Sequence, residues 1–219
     1  MRRLFPLLPL FLLVCACGPS AADVAAEFRD RADAKIAKVR AAGKKAADEK
    51  AALKAPDLKE KLTFKSSGAN CATAHAELFS EPKGKPQLDL ILGDMWLTEP
   101  QDALKDPGKR DAEALRLSFE NLVALKYLAV VRTVSVIEPV HMGEKSFSPG
   151  SWSAEVLLYD IEKGELLGGW AVEAKNSDKV NVNMSGIDKW LHSNLWENAR
   201  KAINEKLKPH CAEGHYAVD

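Results

Sequence analysis

Residues 152–174 read WSAEVLLYDIEKGELLGGWAVEA. Trp152, Ala154, Val156 and Leu158 alternate with Ser153, Glu155, Leu157 and Tyr159, the period of a strand with one buried face. Leu166, Trp170, Val172 and Ala174 repeat that period beyond Asp160–Gly164, a short turn whose glycine supplies a positive φ. Gly168-Gly169 inside the second strand predicts a bulge or a close helix approach rather than a phosphate cradle. The stretch is a β-hairpin, and its apolar face needs a helix laid over it.

Both flanks extend this reading. Upstream, 110–126 places Leu115, Phe119, Leu122 and Val123 on one helical face. Tyr127–Ile137 (YLAVVRTVSVI) is rich in Val and Ile and predicts a largely buried strand ending at Glu138-Pro139. Downstream, Ser185-Gly186-Ile187-Asp188 resembles a capping box. Ile187, Leu191, Leu195, Ala199, Ile203 and Leu207 follow at a spacing near four, and Pro209 stops the helix. The order helix, strand, strand, strand, helix predicts an α+β fold: a mostly antiparallel sheet with helices packed on one face. Residues 57–105 carry weaker signals. They include a short strand at 61–65, a helical turn or loop at 71–79, a turn at 83–86 and a strand near 87–92.

Residues 21–55 change composition abruptly, with Ala at 14 of 35 positions and charges at most others. A long N-terminal helix is expected. Its stripe of Val24, Phe28, Ala32, Ile36 and Val39 is thin, and Gly43 weakens the middle. That pattern predicts a solvated helical tether, or alternatively a partner-binding helix, bounded by Pro56.

The first residues, MRRLFPLLPLFLLVCAC, place two arginines before an apolar run too short to span a bilayer. A small residue before a cysteine at the end of such a run resembles the lipobox of bacterial lipoproteins. The resemblance implies a signal peptide at 1–16, with Cys17 as the lipidated first residue of the mature chain. Gly18 stands where enterobacterial lipoproteins retained in the inner membrane carry Asp. By resemblance the expected address is therefore the outer membrane, facing the periplasm. The expected division is signal peptide 1–16, lipidated Cys17 and tether 17–56, and α+β periplasmic domain 57–219.

Hydrophobic residues make up 46% of the chain, enough for one sizeable core, and 31 basic side chains balance 31 acidic ones. Removing residues 1–16 takes away Arg2 and Arg3. The near-neutral remainder offers no electrostatic case for nucleic acid, and no cofactor is expected. The expected partners are the membrane, through lipid, and an envelope protein.

Cys71 and Cys211 remain once Cys17 is acylated. In an oxidising compartment an even pair predicts a disulfide. A zinc site from the two C-x3-H patterns, Cys71/His75 and Cys211/His215, and unpaired thiols are the competing readings. No recognised nucleophile, metalloprotease, P-loop or dinucleotide motif occurs, so no catalytic residue is assigned. A meander of the three strands brings the loops 139–150 and 175–184 to one end of the sheet. The candidate binding rim there is His141, Lys145, Phe147, Asn176, Asp178 and Lys179.

Val156–Leu167, a strand, an Asp, a turn with Gly and a second strand, resembles modules of periplasmic lipoproteins. These are the curli-secretion lipoprotein and the lipoprotein activators of peptidoglycan synthases. The resemblance spans 110–207 and implies a non-enzymatic binding or scaffold domain. A periplasmic hydrolase using His141 or the His/Cys termini is the alternative.

Overall fold

The computed structural model describes residues 18–48, 50, 53–64, 68–80, 95–142, 146–178 and 186–213. In chain order the elements are α1 (Ala21–Asp48), β1 (Cys71–His75), α2 (Met95–Lys105), α3 (Ala112–Ala124), β2 (Tyr127–Ile137), β3 (Val140–His141), β4 (Phe147–Ser148), β5 (Ser151–Asp160), β6 (Glu165–Lys175) and α4 (Ile187–Leu207). The segments for which a signal peptide (1–16), a turn (83–86) and a strand (87–92) were expected, together with Cys17 and Ser185, lie outside the described residues. Among the described residues, no helix is long and apolar enough to cross a membrane.

The fold is α+β, as expected, and the hairpin is β5–β6, paired from Ser151–Lys175 to Asp160–Glu165. Gly164 closes its turn at φ +64°. The sheet runs β1-β2-β5-β6. It is mixed rather than mostly antiparallel, because β1 lies parallel to β2. A parallel neighbour needs a crossover, and α2 and α3 lie within that connection. The strand CATAH holds no large apolar residue, so nothing in its pattern announced it.

Helices cover both faces, which corrects the expected single layer. On one face Leu195, Ala199, Ile203 and Leu207 of α4 pack on Trp152, Ala154, Val156, Leu158 and Val172. On the other, α1, α2 and α3 pack on Leu128, Val130, Leu157 and Tyr159. The reason lies in β5. Its solvent-side positions are Ser153 and Glu155 at first and then Leu157 and Tyr159, so the second face turns apolar half-way along.

The tether is the larger correction. Val24, Phe28, Ala32, Val39, Ala42 and Ala46 of α1 are buried against the sheet and α3. Alanines widen the stripe without adding side-chain bulk, so the helix can approach closely. Gly43 is the extreme case: a Cβ there would stand 2.3 Å from the ring of Phe79. The Phe28 ring stacks on Phe119 at 5.4 Å between centroids. Buried Lys35 donates from Nζ to Leu125 O at 2.6 Å and pairs with Glu162. The division into a tether at 17–56 and a domain at 57–219 therefore gives way to a core that α1 shares.

Gly168-Gly169 shows both predicted features in altered form. The register shifts between Leu158 and Tyr159, with Leu167 as the extra residue. The close neighbour is an extended segment rather than a helix: Gly169 N donates to Lys54 O at 2.8 Å, and a Cβ on Gly168 would lie 2.4 Å from that oxygen.

Candidate functional site

β2 changes character at Arg132. Tyr127–Val131 is buried, whereas Arg132–Ile137 is half-buried to exposed. The Arg132 guanidinium pairs with Glu155, its neighbour across the ladder, and donates from Nη1 to Ala46 O at 2.8 Å. That bond marks where the last turn of α1 leaves the sheet. Beyond it the helical layer ends and the strands continue.

This open end carries Val134, Ile137, Val140 and Met142, each more than half exposed. A register shift between Thr133 and Ser135 sets Val134 out of the ladder. Ser135 and Ser153 face each other across β2 and β5 with their hydroxyls 2.7 Å apart. β3 and β4 form a small separate ladder pairing His141 with Phe147. Gly150 returns the chain so tightly that a Cβ would meet Ile137 O at 2.7 Å.

The predicted rim is partly assembled. His141 and Asp178 are exposed and Phe147 is half-buried. Lys145 and Lys179 lie outside the described residues. Asn176 is corrected: it is buried and fully engaged. Its Oδ1 accepts from Gly150 N at 2.8 Å, and its Nδ2 donates to Leu191 O at 2.7 Å and Asn194 Oδ1 at 3.2 Å. Asn194 Oδ1 also accepts from Ser177 N, and Asn198 Nδ2 donates to Lys175 O at 2.7 Å. Asn176 thus joins the start of β5, the end of β6 and α4, and presents nothing to a ligand.

Val134 and Ile137 were expected to be buried. The signal against burial is the change from YLAVV, without a polar residue, to RTVSVI, with three. Of the tryptophans, Trp152 is core, whereas Trp190 is nearly half exposed.

Cys71 and Cys211 share one apolar cluster, and both stand as free thiols in this structure, without the expected disulfide between them. The segment at Leu62–Thr63 runs between them. Leu62 N donates to His210 O and Ala212 N to Leu62 O, both at 2.8 Å, while on the other side Cys71 N donates to Thr63 O at 3.1 Å. Two ladder spacings put the cysteine backbones ~9.5 Å apart. A disulfide tolerates ~7 Å between Cα atoms.

Burial pushes the Cys71 thiol well up, and nearby Cys211 adds to the shift. Burial also raises Cys211, with Lys61 opposing. Neither thiol is primed as a nucleophile or metal ligand.

The zinc reading fails at β1. Cys71 and His75 stand at its two ends, ~13 Å apart along an extended strand, too far to share an ion with bonds of ~2.0–2.3 Å. His75 Nδ1 lies 3.7 Å from Glu77, and His215 is outside the described residues. Among the described residues, no three His, Cys, Asp or Glu side chains are grouped to hold a metal. His210 sits against the Trp170 ring at 5.1 Å, and burial, then Lys61, lowers its pKa.

No protein-family model, curated protein or solved structure matches this chain.

Proposed function

We propose that the protein is a lipid-anchored protein of the bacterial envelope. Cys17 holds it to the outer membrane on the periplasmic side, and its fold binds an envelope partner without catalysing a reaction. The observation that carries the binding reading is the open end of the sheet. There Val134 and Ile137 stand exposed on β2, whose other end is locked between two helical layers, and Val140 and Met142 stand exposed on and just after β3. A rigid platform with a cluster of exposed apolar groups is a common form of interaction surface. The likeness of Val156–Leu167 to periplasmic lipoprotein modules points the same way. Neither His141 nor Asp178 has a hydrogen-bonded side-chain partner among the described residues that would orient it for proton transfer.

Two measurements test the reading. Cys17→Ser should move the protein from the membrane to the soluble periplasmic fraction; retention at the membrane would contradict the anchor. A photo-crosslinking amino acid at Ile137 or Met142 should capture one discrete protein in cells. The same probe at Leu117, an exposed leucine on α3, should not. Identical adducts at all three positions would contradict a dedicated surface.

A further inference from the structure

The anchor and the fold are nearly contiguous. Ser20 caps α1: its Oγ donates to Asp23 Oδ2 at 2.7 Å, its backbone N donates to the same oxygen at 2.9 Å, and Val24 N donates to Ser20 O at 3.1 Å. The helix is buried from its first turn, at Ala21, Val24 and Ala25. Only Gly18, Pro19 and Ser20 separate Cys17 from α1. The four backbone steps from Cys17 to Ala21 reach at most ~14 Å.

The direction of α1 follows from its bonds. Lys35 Nζ reaches Leu125 O, just before β2 begins, and Ala46 O accepts from Arg132 in the middle of β2. α1 therefore points the same way as β2, and its residues before Lys35 lie beyond the start of the sheet. There Phe28 stacks on Phe119, Glu27 pairs with Arg116, and Arg29 donates to Leu104 O at 2.9 Å. The connection from α2 to α3, residues 106–111, lies at this same end. It carries exposed Lys109 and Arg110.

We infer that the lipidated protein sits directly on the membrane, with the start of α1 and the 106–111 loop against the headgroups. The open end of the sheet then faces away from the bilayer. Ala21 to Ala46 spans ~38 Å of helix, and this length separates that end from the surface. The occupant of the α1 end is the lipid surface itself, because so short a leash leaves no room for a protein between anchor and fold. This inference rests on the lipid-anchor reading.

The test uses the full chain, purified with its lipid and reconstituted in phosphatidylethanolamine–phosphatidylglycerol vesicles. A genetically encoded coumarin amino acid replaces Lys109 in one variant and Met142 in another. Vesicles with brominated acyl chains should quench position 109 several-fold more than position 142. Equal, weak quenching at both sites, in protein shown by mass spectrometry to carry acyl chains and by flotation to bind vesicles, would overturn the orientation alone. Protein without acyl mass that fails to float would overturn the anchor reading, and this inference with it.

Discussion

At Gly43, two effects of known size oppose each other. Alanine is favoured over glycine in a helix interior by ~1 kcal/mol. A methyl here would enter the Phe79 ring, 2.3 Å from its nearest carbons, and overpacking costs about 1–3 kcal/mol. Gly43→Ala should therefore lower the melting temperature, whereas in a Phe79→Ala background the same change should raise it. A stabilising Gly43→Ala in the parent chain would show that the ring does not sit there. Glu162 gives a pH signature. Hydrogen bonds from Lys35, then Lys38, hold its carboxyl below the ordinary range. A carboxylate so depressed contributes stability above its unfolded value of ~4.3 and loses it as pH falls through the folded value. Glu162→Gln should destabilise at neutral pH and flatten the acid limb below about pH 4. Because Glu162 is half exposed, the effect should stay under ~1 kcal/mol. Parallel acid-unfolding curves for the two proteins would rule the pair out as a contributor.

Among the elements, the hairpin and the existence of the long helix were legible, but the packing of that helix was not, for a common reason. Strand alternation in 152–174 is carried by large side chains, so polar and apolar positions contrast sharply. In α1 much of the buried surface is alanine, which reads as neutral helix former whether it faces protein or water. Leu157 and Tyr159 held the missing clue, since an apolar pair on the polar side of a hairpin calls for a second layer. Asn176 was visible as a polar loop residue, but its role depends on Asn194 and Leu191, brought near only by folding. Asn176→Ala would leave Gly150 N–H and Leu191 C=O without this partner, and buried polar groups left so cost about 1–3 kcal/mol each. The expected outcome is lower global stability with the first turns of α4 losing amide protection before the sheet does. Unchanged protection at 187–195 would mean that the joint does not hold the helix.

For the whole molecule, the packing of α1 changes what the chain is. A tether would hold a compact domain far from its anchor. A packed α1 would bring the proposed lipid anchor at Cys17 close to the fold, and it fixes which end of the sheet stays open. Native-state hydrogen exchange separates the two arrangements. With α1 in the core, the amides around Phe28, Ile36 and Val39 should be protected to the same free energy as those of Val156–Leu158 in β5, and both sets should open together in global unfolding. Rapid exchange throughout 21–48, with β5 still protected, would contradict the fold described above and return α1 to the role of a solvated tether.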